Sequence, residues 1–534
     1  MLILTDAGLR DRAAWLAKGY RLPGYDRAEM AAATADHPRW VHFGAGNIFR
    51  AFPCHAVQRL LDAGRMDTGI IAVEGYDYEI VEKGYRPCDN LSLLVTLKTD
   101  GSVEKTVVGS IAESCILDSG NEAEFTHLRQ VFANPSLQMA TFTVTEKGYS
   151  LAAGKGETLP TVAADLAAGP GKPVSYIGKV ASLLYSRYQA GAAPIAMVSM
   201  DNCSHNGDKL FRAVHAFAEA WGDAGFLAYV EDPAKVSFPW TMIDKITPRP
   251  DSAVEAMLRE DGLQGLDPVV TSRHTFIAPF VNAEESEYLV IEDTFPNGRP
   301  PLEEAGFIFT DRATVDQVER MKVTTCLNPL HTALAVFGCL LGYTRIADEM
   351  KDADLVRLIR RIGYDEGLPV VTDPGVLNPR AFIDTVVEVR LPNPFMPDTP
   401  QRIACDTSQK IPIRFGETIK SYLSDPQRDP SSLTAIPLAL AGWLRYLLGI
   451  DDAGSAFEPS PDPLLNDLRE ALSGVSLGHP ETVDDRVDTL LRDARLFGTD
   501  LVQAGLAGKV KDNLRMMLEG KGAVRATLQK VLAS

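Results

Sequence analysis

A short apolar strand that runs into a glycine loop constrains the fold of this chain most. Residues 40–43 read Trp-Val-His-Phe, Gly44 and Gly46 follow, and a helical segment covers 51–63. A strand, a G-x-G turn and a helix together hold a dinucleotide pyrophosphate, because the glycines let the backbone come close to the phosphates and the helix N-terminus faces them. The third glycine of this fingerprint is replaced by Phe49, and a lone G-x-G is weak evidence by itself.

The next apolar run strengthens this interpretation. Residues 69–73 read Gly-Ile-Ile-Ala-Val and end in Glu74. An acidic residue at the end of the second strand is placed to accept the ribose hydroxyls and to repel a 2′-phosphate. We therefore expect NAD rather than NADP. A solvent-exposed loop glutamate is the alternative interpretation of Glu74.

Further strand-like runs alternate with helical stretches. Strands are predicted at 91–97, 105–111, 139–144 and 195–199, and helices near 122–132 and 177–189. This alternation predicts an α/β sheet with mostly parallel strands. Ligands of such sheets bind at the carboxyl ends of the strands. The loops at 145–149, which begins with Thr145 and Glu146, and at 201–207 are therefore predicted to line a site.

Two domains follow from the change in pattern along the chain. A proline-rich stretch after residue 248 closes the sheet, residues 270–312 form a small β-containing bridge, and helical patterns dominate from about 313. We predict an α/β NAD-binding domain of the Rossmann type at 1–275 and a mainly α-helical substrate-binding domain at 276–534.

A second stretch carries chemically active side chains. Glu319 and Lys322 are three residues apart and share a helix face; Asn328, followed by Pro329, is predicted to be an N-cap, with His331 in the first turn. A base, an amide donor and an orienting group can move a proton off an alcohol. A surface lysine, a simple helix cap and a core histidine are the alternative interpretation of the same residues.

Composition excludes several classes of function. The net charge of −18 argues against nucleic-acid or anionic-membrane partners, because no long basic run offsets it. The seven cysteines are scattered and form no C-x-x-C pair, which predicts free thiols in a reducing compartment. The nine histidines form no metal-binding pattern, so no metal site is predicted. We expect a cytoplasmic protein without a membrane span.

Eight motifs, in order, resemble the polyol-specific long-chain dehydrogenases, the group that contains mannitol 2-dehydrogenase, fructuronate reductase (D-mannonate oxidoreductase), tagaturonate reductase and arabinitol dehydrogenase. The motifs are L-P-x-Y-D-R at 22–27, G-x-G-x-x-x-R at 44–50, T-E-K-G-Y at 145–149, D-N-x-x-x-N-G at 201–207, I-D-K-I-T-P at 243–248, I-E-D-x-F-x-x-G-R-P at 291–300, K…L-N-x-x-H at 322–331 and R-I-x-x-D-T-S-x-K-I-P at 402–412. The resemblance spans most of the chain.

The resemblance implies a role for each site residue. Lys322 would be the general base, Asn202 and Asn328 the oxyanion donors, His331 the orienting group and Glu319 the proton relay to solvent. Substrate contacts would come from Asp244, Arg402 and Lys410. Cofactor contacts would come from Gly44, Gly46, Phe49, Arg50, Glu74, Thr145 and Glu146.

The chain departs from the family pattern at two places. Phe49 precedes Arg50 where a histidine is usual, and six positions rather than five separate Lys322 from Asn328. The extra residue lies among 323–327, where it must bulge out or shift the backbone that carries the lysine.

The function that the resemblance implies is reversible hydride transfer between NAD and an open-chain sugar derivative, without a metal. Arg402 and Lys410, as pocket cations, favour a sugar acid of the fructuronate/D-mannonate type, since a carboxylate would pair with them. The alternatives are a polyol dehydrogenase acting on mannitol or arabinitol, a tagaturonate reductase, and a non-catalytic NAD-binding redox sensor. A monomer or a small homo-oligomer is expected.

Overall fold

The computed structural model describes residues 1–154 and 156–533, which form two compact units. The first unit comprises Met1–Lys98 and Ser102–Asp316, and the second comprises Thr99–Gly101 and the chain from Gln317 onward. This division lies later in the chain than the one predicted between residues 275 and 276.

The strands, numbered in chain order, all lie in the first unit. They are β1 (Tyr20–Arg21), β2 (Trp40–Phe43), β3 (Ile70–Glu74), β4 (Ser92–Leu97), β5 (Val103–Val108), β6 (Ile111–Ile116), β7 (Met139–Phe142), β8 (Ile195–Ser199), β9 (Val236–Ser237), β10 (Thr241–Asp244), β11 (Val269–Val270), β12 (Phe276–Ile277), β13 (Phe280–Glu284), β14 (Tyr288–Glu292) and β15 (Ile308–Thr310).

The boundary between the units lies within α12, after Asp316. The α-helices up to and including α12 are α1 (Arg12–Ala17), α2 (Arg27–Asp36), α3 (Asn47–Ala51), α4 (Pro53–Asp62), α5 (Glu122–Ala133), α6 (Thr145–Gly148), α7 (Pro160–Ala168), α8 (Tyr176–Gln189), α9 (Asn206–Ala220), α10 (Ala224–Glu231), α11 (Ser252–Glu260) and α12 (Arg312–Met321). Those wholly in the second unit are α13 (Asn328–Leu341), α14 (Ile346–Glu349), α15 (Ala353–Arg360), α16 (Pro379–Thr385), α17 (Pro400–Ile403), α18 (Thr407–Arg414), α19 (Gly416–Ser424), α20 (Ala435–Leu447), α21 (Leu465–Ala471), α22 (Asp485–Leu491), α23 (Ala494–Phe497), α24 (Ala507–Met517) and α25 (Ala523–Leu532).

The central feature of the first unit is a six-stranded parallel sheet in the order β6-β3-β2-β7-β8-β9. If these six strands are numbered 1 to 6 in chain order, their order in the sheet is 3-2-1-4-5-6, which is the doubly wound order. In this order the chain adds strands first on one side of strand 1 and then on the other side. The point where the strand order reverses lies between β2 and β7. Both strands are fully buried, as strands covered on both faces should be, and each carries one polar residue, His42 in β2 and Thr141 in β7.

Two of the predicted strands belong to a different sheet. The runs at 91–97 and 105–111 form β4 and β5, which pair antiparallel within a four-stranded sheet of order β1-β5-β4-β13. The parallel edge strand β6 follows immediately and was not predicted as a separate strand. Strands β10, β14 and β15 form a third sheet. Residues 276–312 therefore pair with earlier strands, and this pairing assigns them to the first unit.

The predicted helix at 51–63 is divided in two. The short helix α3 starts directly after Gly46, and α4 starts at Pro53. Phe52 between them has φ −121° and ψ −72°. A residue before proline is disfavoured in the helical region, because the proline ring collides with its backbone. The break therefore follows from Pro53.

The second unit is helical, as predicted. Its central helices α13 and α20 pack against each other and are largely apolar. Glu366 caps α20: its carboxylate accepts backbone N–H bonds from Thr434, Ala435 and Ile436 at 2.6–2.8 Å. The continuous helical stretch Arg312–Leu341 is long and apolar enough to span a membrane by length and hydropathy, but 78% of its apolar window is buried, which is typical of a core helix.

One buried arginine holds the ends of two parallel strands in the first unit. Arg187 on α8 is fully buried, and its guanidinium donates to the carbonyls of Phe132, Asn134, Leu137, Ala193 and Pro194 at 2.7–2.9 Å. These carbonyls lie just before β7 and β8, so their positions depend on one side chain.

We expect Arg187→Met to lower the stability of the first unit by about 3 kcal/mol or more, because several buried carbonyls lose their donor. Thermal unfolding measures this as a lower midpoint for the variant. Arg212→Met, which removes an exposed arginine from α9, is the control and should leave the midpoint unchanged. Equal midpoints for the two variants would contradict the structural role of Arg187.

Candidate active site

The glycine loop brings the ends of β2 and β7 into close contact. Gly44 has φ +100°, and a Cβ atom there would lie 2.2 Å from the backbone oxygen of Thr143. Only glycine fits such an approach and such a backbone conformation. Gly46 has no atom within 4 Å of its Cβ position, so it faces open space. The two predicted glycines therefore serve different purposes, contact with the neighbouring loop and access for a ligand.

A cavity of about 550 Å³ lies at the carboxyl ends of β2, β3 and β7. Its lining comes from the segments that follow these strands, from the starts of α7 and α8 and from the residue before β12: Gly44, Gly46, Glu74, Tyr76, Ile80, Thr143, Val144, Thr145, Lys147, Gly148, Ser150, Leu151, Leu159, Thr161, Val162, Ser175, Tyr176, Ile177 and Thr275. The size suits a cofactor, and the position beside the reversal of strand order is where dinucleotides bind in this fold.

Glu74 lies on the wall of this cavity and binds the glycine loop. One carboxylate oxygen accepts the N–H of Ala45 at 3.0 Å, and the other accepts those of Tyr76 and Asp77 at 2.7 and 3.1 Å. The side chain is buried, not a solvent-exposed loop glutamate. Each carboxylate oxygen has two lone pairs, so Glu74 keeps capacity to accept a ribose hydroxyl.

Phe49 and Arg50 do not line this cavity, contrary to the sequence-based expectation. Phe49 is fully buried and stacks on His42 with ring centroids 3.9 Å apart. Arg50 is also buried, and it donates to the carbonyl of Ala278 and to the side chain of Asn47, both at 2.8 Å. The short helix α3 turns both side chains into the protein interior. Their positions in the loop motif serve packing.

The loop after β7 is fixed by a buried carboxylate. Asp201 accepts the backbone N–H groups of Val144 and Thr145 at 3.0 and 2.9 Å and the hydroxyl of Tyr149. Burial raises the pKa of Asp201, and these three donors oppose the shift. Thr145, at φ +64°, lines the cavity as predicted. Glu146 instead forms an exposed ion pair with Lys209 and is not part of the lining.

The first unit also carries the predicted residues Asn202 and Asp244. Asn202 is exposed, directly after the buried Asp201. Asp244 is buried at the end of β10. Asn206 of the same motif has a structural role: its side chain bonds the backbone of Thr241 in both directions, at 3.0 and 3.1 Å, and so joins the start of α9 to β10.

The second unit places Lys322 at the start of a π-helical turn, Lys322–Cys326. The backbone N–H of Leu327 bonds the oxygen of Lys322 at 3.1 Å, five residues earlier. A π-turn holds one residue more than a regular helical turn. The extra residue between Lys322 and Asn328 is therefore absorbed as a bulge inside a continuous helical stretch. Lys322 is 4% exposed, so it is not an ordinary surface lysine.

Asn328 is the first residue of α13, and this corrects its predicted role as N-cap. Leu327 occupies the cap position, and α13 has no side-chain cap hydrogen bond. The π-turn runs directly into α13, so the N–H of His331 already bonds the oxygen of Leu327 at 3.1 Å. A cap is not needed where the preceding helix supplies the acceptors. The side-chain amide of Asn328 is therefore not used as a helix cap and can bind other groups.

His331 lies one turn after Asn328 on α13. Its pKa is lowered to about 4, mainly by burial; the Asp398 carboxylate opposes this shift, and the charges of Arg414, Arg402 and Arg390 add to it. His331 is therefore neutral at pH 7. Its Nε2 atom lies 3.8 Å from the Asp398 carboxylate and has no hydrogen-bond partner among the described residues. Glu319, half-buried on α12, precedes Lys322 by one turn.

Arg402 and Lys410 are not the unpaired pocket cations that the sequence suggested. Arg402 is 63% exposed and forms an ion pair with Asp398. The ammonium group of Lys410 donates to the carbonyls of Ile403, at 3.0 Å, and Cys405. Lys410 thus stabilises the end of α17. The argument that both cations await a substrate carboxylate does not apply to them.

Sequence reasoning missed Arg414, which donates to the side chain of Thr332 in the first turn of α13. It also missed a group of metal-ligand side chains, Glu113, Cys115 and His127, which lie within 4.8 Å of one another. The Cys115 thiol and the His127 ring both bond the Glu113 carboxylate, so hydrogen bonds account for this group. No sequence spacing signalled either feature.

Comparison with known proteins covers both units. Residues 38–304 match the model of the mannitol dehydrogenase Rossmann domain, and residues 314–518 match that of the mannitol dehydrogenase C-terminal domain. The chain is 50% identical to D-mannonate oxidoreductase of Thermotoga maritima over 531 residues, 98% of either chain.

Two solved structures are similar over nearly the whole chain. Mannitol 2-dehydrogenase of Pseudomonas fluorescens, in a ternary complex with NAD and D-mannitol, is 26% identical with a TM-score of 0.69, over 100% of both chains. A substrate-free D-sorbitol dehydrogenase is 26% identical with a TM-score of 0.79, over 96% of this chain and 97% of the other. The expected fold class, an α/β Rossmann domain followed by a mainly helical domain, is confirmed, and the chain belongs to the mannitol dehydrogenase family.

Proposed function

We propose that this protein is an NAD-dependent, metal-independent oxidoreductase that reversibly transfers hydride to and from an open-chain sugar acid of the fructuronate/D-mannonate type. The similarity to the Thermotoga maritima D-mannonate oxidoreductase supports the substrate class. The observation that carries the reaction type is the buried Lys322, which a π-turn sets directly before the helix that carries Asn328 and His331.

The cofactor fits the residues of the cavity. Gly46 leaves open space for a pyrophosphate, and Glu74 keeps one carboxylate lone pair for a ribose hydroxyl at the end of β3. NAD, when bound, accepts or supplies the hydride. The chain itself must then manage the proton and the charge on the substrate oxygen.

Lys322 is the proposed general base. In the oxidation direction its neutral amine takes the proton of the substrate hydroxyl, and Asn328 donates a hydrogen bond to the developing alkoxide. His331, neutral at pH 7, orients the substrate through its free Nε2 atom. Glu319 returns the proton from Lys322 to solvent. In reduction each step reverses, so Lys322 donates the proton.

Two alternatives remain distinct from this proposal. A polyol dehydrogenase would act on an uncharged substrate, as the names of the two solved relatives indicate for those proteins. A non-catalytic redox sensor would bind NAD without needing a buried lysine. We further propose that the protein is cytoplasmic, with small molecules rather than nucleic acids or membranes as partners, because its net charge is −18 and its cysteines are free.

Lys322→Ala should reduce turnover about 10²- to 10⁴-fold, the usual contribution of a general base. NADH binding, measured by fluorescence titration, should stay close to that of the wild type. Lys351→Ala removes an exposed lysine from the same unit and serves as the control. Loss of less than about tenfold in turnover would rule out Lys322 as the base.

Glu74 should make the enzyme prefer NAD(H) to NADP(H), because its carboxylate repels a 2′-phosphate. Catalytic efficiency with the two cofactors measures the preference. Glu74→Gln should weaken it by removing the charge; the amide keeps one acceptor oxygen and so retains only part of the backbone N–H bonds of Glu74. Equal efficiency of the wild type with NADPH would refute this role.

Deletion of Val323 should leave the enzyme active, because the π-turn contains the whole register change. The deletion turns the π-turn into a regular turn, so Lys322 and α13 keep the faces that they have in the wild type. We expect turnover far above that of Lys322→Ala, with thermal unfolding near that of the wild type. Deletion of Ala335, inside the regular helix α13, is the contrasting variant: it rotates the side chains before it by about 100° relative to those after it and should lower both turnover and the unfolding midpoint. A Val323 deletion as inactive as Lys322→Ala would show that the extra residue is needed to position the lysine.

A further inference from the structure

Arg414 is a partly buried cation beside the first turn of α13. Its guanidinium donates to the hydroxyl of Thr332 at 2.5 Å and lies 3.5 Å from the backbone oxygen of Asn328. Burial lowers the pKa of Arg414 to about 10, so the guanidinium is still charged at neutral pH. Within residues 1–154 and 156–533, the structure gives this charge no carboxylate partner.

The other cations predicted for the substrate pocket are already occupied. The charge of Arg402 is neutralised by Asp398, and the ammonium of Lys410 binds two backbone carbonyls. Arg414 has five N–H donors, and in the part of the chain that the structure describes only two neutral oxygens accept from them. A charge removed from water without a counter-charge is costly. Such an arginine is typical of a site whose anion arrives with the ligand.

The location of Arg414 ties this charge to the proposed chemistry. Asn328 and Thr332 are four residues apart on one face of α13, and His331 lies in the same turn. The guanidinium is therefore next to the turn that presents the proposed alkoxide donor and the orienting imidazole. A sugar acid carries its carboxylate on the same carbon chain as the reacting hydroxyl.

We propose that Arg414 is the specificity-determining residue that binds the carboxylate of the sugar-acid substrate. The inference rests on the proposed function and deepens it, because it names the group that separates a sugar acid from a polyol. A guanidinium holds a carboxylate through two parallel charge-assisted hydrogen bonds. An uncharged ketose such as fructose offers only hydroxyls and leaves the charge of Arg414 without a counter-ion.

The test compares Arg414→Gln and Arg414→Lys with the wild type in the NADH-dependent reduction of fructuronate. Arg414→Gln keeps N–H donors for Thr332 and Asn328 but removes the charge. We expect kcat/KM to fall about 10- to 100-fold, as for loss of a charge-assisted bond, mainly through a higher KM. Arg414→Lys should recover part of the loss, since it restores the charge without the planar fork.

Arg380→Gln, an exposed arginine on α16, is the matched control and should keep wild-type kinetics. A fructuronate KM within about threefold of the wild type in Arg414→Gln, below the effect of a lost charged bond, would overturn the inference. A fall in kcat with unchanged KM would show instead that Arg414 supports α13, and would also overturn the inference. The same conclusion would follow if Arg414→Gln unfolded at the assay temperature and Arg414→Lys did not restore the unfolding midpoint.

Failure of the proposed function gives a different result. It would appear as absence of fructuronate and mannonate turnover in the wild type itself, before any variant is compared. A wild type that reduces fructuronate, combined with an Arg414→Gln variant that does so equally well, would leave the proposed function intact and defeat only the role of Arg414.

Discussion

The pairing of β2 with β7 is the constraint on which the first unit depends. The two strands lie side by side although they are separated by β3 to β6 in the chain, and buried polar bonds fix their register. His42 bonds the hydroxyls of Thr141 and Thr143 at 2.6 and 2.8 Å, and Trp40 bonds that of Thr141. Burial lowers the pKa of His42 to about 3, so this ring stays neutral over the physiological range.

The cavity follows from this pairing. Because β2 and β7 are in register, the loops that follow them come into close contact at Gly44 and Thr143. A Cβ atom at position 44 would collide with the backbone of Thr143, so only glycine fits at position 44. Gly44 and Thr143 both line the cavity. Glu74, at the end of the neighbouring strand β3, also lines it and accepts the N–H of Ala45. Cofactor recognition is thus built from backbone positions that the sheet fixes before any ligand arrives.

Local sequence patterns were sufficient to predict the dinucleotide-binding part of the fold. The strand at 40–43, the glycines and the acidic residue at 74 follow one another closely, so local periodicity and turn chemistry were sufficient. The same reasoning did not separate β4 and β5 from the parallel sheet, because a strand carries no signal for the partner with which it pairs. It also placed the domain boundary before β13, whose partner β4 lies far back in the chain.

Three of the predicted site residues have surroundings that the sequence did not indicate. Phe49 and Arg50 occupy the expected positions in the loop motif, yet the kink at Phe52 and the short helix α3 turn them inward. Arg402 was expected to await an anion, but Asp398 four residues earlier already supplies one. Among the residues that the structure describes, Arg414 has no such neighbour, and only the fold shows this, because its surroundings come from α13, far away in the sequence. The sequence alone therefore does not show whether a charged side chain has a counter-charge, because that depends on contacts in the folded structure.

The π-turn at Lys322–Cys326 has a consequence for how relatives of this chain should be compared. An insertion inside a helix normally shifts every later side chain to a new face, and natural selection would have to adjust the whole helix. Here one bulge confines the register change to five residues, so α13 keeps its buried face. The lysine and the helix behind it can therefore vary in spacing independently. An alignment that forces a single gap-free block through this segment would pair Lys322 with the wrong residue, and lineages that differ by this one codon can still share one arrangement of catalytic groups.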